Sequence, residues 1–489
     1  MALFTILHIS DLHRSHREPL HNHALLGSLV ADADRYLGEN PAVPLPEAVI
    51  VSGDIIQGAR LGDLNHATDV AAQYEVAEEF LGMLVERFLS GDRSQIVIVP
   101  GNHDVSWNIA LASMRRLPKS ETPNDILAAL NEPGSPYRWS WDHRALYRIE
   151  DHDLYARRLD GYWNFVERFY SGVALPLPFN RGRGFNLFEL DEGRIAVAAF
   201  ESIDGNDCFA YQGALIPDAV AGCSLTLRDL GRPHVLRMGV WHHSVQGPPR
   251  SGDYMNVESV YEMAGHGFRL GVHGHQHVAA AAAYYVHLPE REAMGVVSAG
   301  SLCAGARELP RGVNRQYNLL VIEDDHRSAR VHVREMAEGN HFTRKSNEGF
   351  QGGFVRLSWT SDTDAGGREV EPEQEVARLH TLAAEKTLAE GRAEEALSIL
   401  KGIQSPNEPY ARRLLFEAAE KAQDWASIAG IAGGPQSPSE LISVVEALIQ
   451  IGEPDRASSV LSDRRDLGLD TSTMRALEER IAARKLMRR

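Results

Sequence analysis

The sequence predicts an α/β fold. Short, near-continuous Val/Ile/Leu runs recur through the first half of the chain, the pattern of strands buried on both faces. Helical stretches separate the first three runs, as in βαβ units with parallel strands. Each run also ends at a group of Asp, Asn or His, and in open α/β sheets ligands gather at the carboxyl ends of strands.

The elements follow in order. Residues 4–10 (FTILHIS) form the first run, and Asp11-Leu12-His13 follows it. Residues 21–37 read as a helix. Residues 48–51 (AVIV) lead into Ser52-Gly53-Asp54. Residues 67–89 carry apolar positions at helical spacing. Residues 95–99 (QIVIV) precede Gly101-Asn102-His103-Asp104, residues 235–240 (VLRMGV) precede Trp241-His242-His243, and residues 269–272 (RLGV) precede His273-Gly274-His275-Gln276-His277. A further core strand is expected near 194–197 (RIAV). Any one group has a plain explanation: a helix cap for Asp-Leu-His, a turn for Gly-Asp. Five of them at successive strand exits form a set of carboxylate, amide and imidazole ligands.

Asp, Asn and His ligation with no usable Cys set suits borderline divalent metals such as Mn, Fe, Zn, Co or Ni. Two such ions roughly 3.5–4 Å apart clamp the attacking and leaving oxygens of an in-line displacement at phosphorus and lower the pKa of bound water. A His that is not a ligand can protonate the leaving group.

In order and rough spacing, Asp-x-His, Gly-Asp, Gly-Asn-His-Asp, His-His and Gly-His-x-His resemble the motif series of the calcineurin-like metallophosphoesterases, over about residues 1–325. The resemblance implies that Asp11, His13 and His277 bind one metal, that Asn102, His242 and His275 bind a second, and that Asp54 bridges them. It implies His103 as general acid or transition-state stabiliser, with Asp104 orienting it. It also implies two packed mixed β-sheets flanked by helices, a four-layer αββα sandwich, closed by a strand and turn at Ser298-Ala299-Gly300-Ser301. The chain departs from the pattern at Arg14, where the family often has Gly. Arg14 either reaches a phosphate or is a solvated loop residue. His273 is an extra histidine expected to be structural, and His243 is expected to support a ligand or face substrate.

At 489 residues the chain is long enough for two or three domains, and an apolar content of 43% supports a large core. Cys208, Cys223 and Cys303 show no metal spacing or disulfide framework. No run approaches the roughly 18 apolar residues of a membrane span, so a cytoplasmic protein without membrane contact is expected. A net charge of −17 disfavours broad, sequence-independent binding of duplex nucleic acid, which relies on Lys and Arg.

The expected domains are a phosphoesterase domain over 1–340, a strand and acidic linker over 341–375, and an α-helical domain over 376–489. Within the first, residues 105–190 read as a helical cap insertion rich in aromatics and Arg, either a small cap with its own aromatic core or a surface that stacks a base and holds a phosphate. In the last, turns near Gly391, Gln423 and Gly452 recur at about 30 residues, a spacing similar to tetratricopeptide-type hairpins. That reading makes the tail a docking or self-association module; the alternative is a plain helical bundle.

The expected function is hydrolysis of a phosphodiester by a metal-bridging hydroxide on a nucleotide-type substrate. The cofactor is two divalent ions, manganese first, with Fe, Zn, Ni or Co also admissible. The alternatives are a DNA or RNA nuclease working with a partner recruited by the tail, a phosphomonoesterase, and a non-catalytic nucleotide-sensing scaffold.

Overall fold

A computed structural model describes residues 3–17, 20–131, 134–245, 253–286, 292–305, 308–310, 312–337, 339–345, 353–359, 380–402 without 382, 386, 389 and 390, 409–431, 433–469 and 471–487. The stretch 360–373, expected as an acidic linker, lies outside the described residues. The chain divides into two compact units. One comprises Met1–Leu309, Arg315–Ser346 and Phe350–Ser361; the other comprises Pro310–Asn314, Asn347–Gly349 and Asp362–Arg489.

The strands of the first unit are β1 (Phe4–Ile9), β2 (Ala48–Ser52), β3 (Ile96–Val99), β4 (Met114–Arg116), β5 (Tyr137–Ser140), β6 (Ala145–Ile149), β7 (Phe185–Leu190), β8 (Ile195–Phe200), β9 (Leu236–Val240), β10 (Leu270–His273), β11 (Ala280–Val286), β12 (Glu292–Ser298), β13 (Gln316–Ile322), β14 (Ser328–Ala337), β15 (His341–Arg344) and β16 (Phe354–Ser358). Its helices are α1 (Asn22–Ala33), α2 (His66–Phe88), α3 (Trp107–Ala112), α4 (Ile126–Asn131), α5 (His152–Ala156), α6 (Asp160–Phe169), α7 (Ala219–Asp229) and α8 (Glu258–Gly265).

One sheet runs β15-β14-β13-β1-β2-β3, with β16 paired to β14; the other runs β11-β12-β10-β9-β8-β7. Both are mixed. β1, β2 and β3 are mutually parallel, as are β8, β9, β10 and β12, whereas β13 lies antiparallel to β1. The period-2 alternation of β8 shows how the layers stack. Ile195, Val197 and Ala199 join the core shared by both sheets. Ala196, Ala198 and Phe200 face the other way, onto Val220, Cys223 and Leu227 of α7 and Val260 and Met263 of α8. Leu25 and Leu29 of α1 and Phe80 and Leu84 of α2 pack into the shared core cluster. The result is helices, sheet, sheet, helices.

The insertion is less purely helical than expected, because β4, β6 and β5 form a three-stranded antiparallel sheet within it. Its aromatics are also placed differently. Tyr162, Trp163, Phe165 and Phe169 of α6, with Tyr170, belong to the main core, not to a separate cap core. The Tyr162 and Tyr170 hydroxyls donate to the carbonyls of Ile98 and Ile96 in β3, at 3.2 and 2.7 Å.

The second unit is α-helical, with helices Ala393–Lys401, Pro409–Lys421, Trp425–Ala429, Pro438–Gln450, Pro454–Asp463 and Thr471–Met487 around one apolar cluster. Gly391, Gln423 and Gly452, in the three recurring turns, all have left-handed φ (81°, 55° and 79°). Among the described residues no helix is long and apolar enough to cross a membrane.

Candidate metal centre

Because β1, β2 and β3 are parallel neighbours, their exits deliver Asp11 and His13, Asp54, and Asn102 and His103 to one edge. β9 and β10 deliver His242, His275 and His277 to the facing edge. A parallel bridge between Ser10 and Ser301 ties the two edges, and Ser301 Oγ donates to Asp11 O at 2.7 Å. Aiming these side chains strains the backbone. Asp11, His13, Asp54, His275 and His277 all sit at positive φ, between 44° and 76°, a region that costs a non-glycine residue about 1–2 kcal/mol. Such strain concentrates at functional sites. The motif glycines have a spatial reason. A Cβ on Gly101 would strike Asp54, one on Gly274 would strike Ser10 and Asp11, and one on Gly53 would strike the His242 ring.

All seven expected ligands come together, in two overlapping sets. His277 Nε2 lies 3.3 Å from both Asp11 Oδ1 and His13 Nε2, and His13 Nε2 lies 3.8 Å from Asp54 Oδ2. On the other side, His242 Nε2 lies 3.3 Å from Asp54 Oδ2 and 3.1 Å from Asn102 Oδ1. His275 Nδ1 lies 3.0 Å from Asn102 Oδ1 and 3.3 Å from His242 Nε2. Asp54 is common to both.

Proton accounting tests whether this arrangement suits cations. His242 Nδ1 is 2.8 Å from Ser52 O, and a carbonyl only accepts, so Nδ1 carries the proton and Nε2 presents its lone pair. His277 Nδ1 is likewise committed to Glu308 O at 2.9 Å. The two lone-pair nitrogens therefore face carboxylate and amide oxygens, which are acceptors too. Acceptors converging on one point require a positive charge between them, and the donor set fits divalent metals. Asp11, His13 and His277 are close enough to share one ion, and Asp11, Asp54 and His242 to share another.

The electrostatics agree. Burial disfavours a charged His242 ring, but Asp54, with Asp11 and the Ser52 carbonyl, raises the pKa to about 9. Burial opposes a charged His277 as well, and Asp11 raises it to about 8. Burial pushes Asp11 and Asp54 up, yet chiefly His277 and His242, respectively, hold them below the ordinary carboxylate range. The strand exits thus concentrate negative charge that draws protons onto the imidazoles, and metals compete for the same lone pairs.

His103 stands beside the first set, its ring 4.6 Å from that of His13, and a ring nitrogen of His103 lies within 4.8 Å of ligand atoms of His13 and Asp54. The expectation that Asp104 orients it is corrected. The His103 Nδ1 partner is the Gln57 carbonyl, at 2.8 Å. Asp104 turns inward and accepts from Gly101 N, Ile55 N and the Tyr74 hydroxyl at 2.8, 3.2 and 3.0 Å, bracing the two loops that carry Asn102 and Asp54. Burial, then Asp54, raises its pKa to about 7.

Arg14 fits neither expected role. It is buried, and its guanidinium donates to Leu20 O, Asn22 Oδ1 and Cys303 Sγ, tying the loop after β1 to α1. His273 is buried against Trp241, its ring stacked at 5.7 Å, and does not join the ligand sets. A cleft of about 710 Å³ lies beside Asn102 and His103, lined also by Arg17, Gln57, Arg60 and Trp107. A neighbouring cavity of about 340 Å³ shares His103 and Trp107 with it and runs between α2 and α6.

The sequence reading missed four supporting groups: the Gln57 and Glu308 carbonyls, Asp253, whose carboxylate lies 3.4 Å from His275 Nε2, and the loop after β8. Only the last left a local signal. Residues 201–207 (ESIDGND) follow an apolar run just as the recognised groups do.

A family model described as calcineurin-like phosphoesterase matches residues 4–279, more than half of the chain. A dimetal phosphatase from Danio rerio is 13% identical, over 74% of this chain and 100% of that one, with TM-score 0.35. A calcineurin-like phosphoesterase from Bacillus subtilis is 13% identical, over 70% and 87%, with TM-score 0.31. A putative 5′-nucleotidase from Staphylococcus aureus is 12% identical, with TM-score 0.33; the match covers 76% of this chain but only 57% of that protein. No curated protein matches. The chain belongs to the calcineurin-like phosphoesterase family, metal-dependent hydrolases of phosphoric esters with a dinuclear centre.

Proposed function

We propose that the protein hydrolyses a phosphodiester of nucleotide type. Asp11, His13 and His277 would hold one divalent ion, Asn102, His242 and His275 a second, and Asp54 both; manganese is the ion proposed first. Bound ions of this kind polarise the phosphoryl group and lower the pKa of water.

The position of His103 carries the reading. It lies beside the shared carboxylate and at the wall of the cleft, close enough to share an ion with His13 and Asp54, yet it is not among the residues the resemblance assigns as ligands. With Nδ1–H committed to Gln57 O, Nε2 is the nitrogen that, in the doubly protonated ring, would carry the proton passed to a departing alkoxide. Hydrolysis of an alkyl phosphate ester expels an alkoxide, for which such a donor matters most. The cleft volume lies within the range of small-molecule sites, and Trp107, Arg17 and Arg60 offer it a ring face and two cations.

The test is hydrolysis of bis-p-nitrophenyl phosphate against p-nitrophenyl phosphate by metal-reconstituted protein, followed by cyclic nucleotides, dinucleotides and single-stranded DNA. The expected result is preference for the diester. Inertness with Mn, Ni, Zn and Fe in turn would sink the enzyme reading, and preference for the monoester would sink the diester reading. We further propose the helical unit as tetratricopeptide-like and self-associating. The left-handed turns at a spacing of about 30 residues support the hairpin repeat, and sedimentation of the full chain that stays monomeric with rising concentration would overturn the self-association.

A further inference from the structure

The loop after β8 meets the metal centre at His242 and His243, through the Ser202 hydroxyl and the Asn206 amide. Ser202, Asn206 and His243 are all fully buried. Ser202 Oγ accepts from the backbone N–H groups of His242 and His243, both at 3.1 Å. Those two bonds use both lone pairs of the hydroxyl. Its own proton must therefore go to His243 Nδ1, 3.0 Å away. His243 is then a neutral ring with its proton on Nε2. That nitrogen faces the Asn206 side-chain amide, whose Nδ2 is 3.4 Å away and whose Oδ1 has no other partner. A half-turn of the amide makes Oδ1 the acceptor for the His243 Nε2–H. With both nitrogens engaged, His243 has no lone pair left for a metal.

His243 is instead a wedge. Its ring packs 5.3 Å from that of His242 and 4.8 Å from that of His275, both second-set ligands. Trp241 Nε1 donates to its carbonyl at 2.9 Å, and at Gly213 even a Cβ would collide with its side chain. The insertion fastens the loop from outside. Arg158 Nε donates to Asn206 O at 3.1 Å, while Arg138 Nε and the Tyr155 hydroxyl donate to Asp207 at 2.6 and 2.8 Å.

We propose that Ser202 and Asn206 are positioning residues for the second metal-binding half of the site, acting through a neutral, Nε2-protonated His243 that sets the His242 and His275 rings. The proposal rests on the two-metal reading above. It gives the aromatic and Arg-rich insertion a second task, holding the loop that supports the ligands.

The experiment is calorimetric titration of Mn²⁺ into metal-free full-length protein, with the melting temperature of the metal-free form measured in parallel. In Ser202→Ala and in Asn206→Ala one of two Mn²⁺ affinities, the same one in both variants, is expected to fall about 10- to 100-fold, the size typical of losing a group that orients a metal ligand, while the other stays unchanged. Lower melting temperatures with both affinities intact would reduce the residues to structural ones and overturn the proposal. Wild-type protein that binds no Mn²⁺ would instead overturn the metal-centre reading. Should a variant fail to fold, long-range proton–nitrogen NMR of histidine-labelled wild type decides. The expected His243 signal at pH 7.5 is the neutral Nε2–H tautomer, and an Nδ1–H tautomer would overturn the proposal.

Discussion

His332, on β14, is fully buried, and neither ring nitrogen has a hydrogen-bond partner among the described residues. It packs on Phe354 of β16 with ring centroids 5.2 Å apart. Burial, then the charges of Arg330, Arg334 and Arg344, lowers its pKa from 6.5 to about 3. The unfolded chain binds a proton here near pH 6.5, whereas the folded protein does so only near pH 3. Neutral His332 therefore contributes stability that is present above pH 6.5 and is lost as pH falls from there towards 3, by about 1.4 kcal/mol per pH unit once the unfolded ring is charged. His332→Leu removes that proton site and the two unpaired nitrogens. At pH 7.5 the variant should equal or exceed the wild type by up to about 2 kcal/mol. At pH 5.5 its advantage should be larger by about 1.4 kcal/mol, because the unfolded wild-type ring is then mostly protonated. Urea unfolding at both pH values, followed by fluorescence of Trp107, Trp139, Trp141, Trp163, Trp241 and Trp359 in the same unit, measures this. The other buried histidines are common to both proteins and cancel in the double difference. An identical stability gap at the two pH values would refute the reasoning.

His103→Gln should retain metal but lose about 10²- to 10⁴-fold in kcat/KM on diesters with alkoxide leaving groups, and lose less where p-nitrophenolate departs; equal losses on both would remove it as the acid. Asp54→Asn should lose at least one metal ion by elemental analysis, since both sets share that carboxylate; retention of two would contradict the bridging assignment. Gly101→Ala should weaken metal binding and cost about 1–3 kcal/mol of stability, because the new Cβ meets Asp54; unchanged metal affinity would show that Asp54 can move aside. Arg14→Ala should lower stability by about 3 kcal/mol, since it strands Asn22 Oδ1 and Leu20 O, and leave KM unchanged; a raised KM at intact stability would return Arg14 to a phosphate-binding role.

The strand exits were legible because their signals are local. An apolar run of four to six residues and the polar group that ends it are contiguous, so β1, β2, β3, β9 and β10 fall within a residue or two of their expected positions. The metal-binding character of the site followed from the residue types collected there. Other features had no local signal. The carbonyls of Gln57 and Glu308 orient His103 and His277, and a carbonyl is the same on every residue. Arg14 follows directly after an expected ligand, His13, so adjacency suggested a phosphate contact, whereas the backbone sends its side chain inward to Asn22 and Cys303. Asp104 is next to His103 in the chain but braces Ile55 and Gly101. The sequence by itself thus determined which donors the protein owns and the end of the sheets at which they gather. Only the tertiary structure decided which nitrogen of each ring faces the centre, since that depends on acceptors contributed by distant segments, as Ser52 does for His242 and Ser202 for His243.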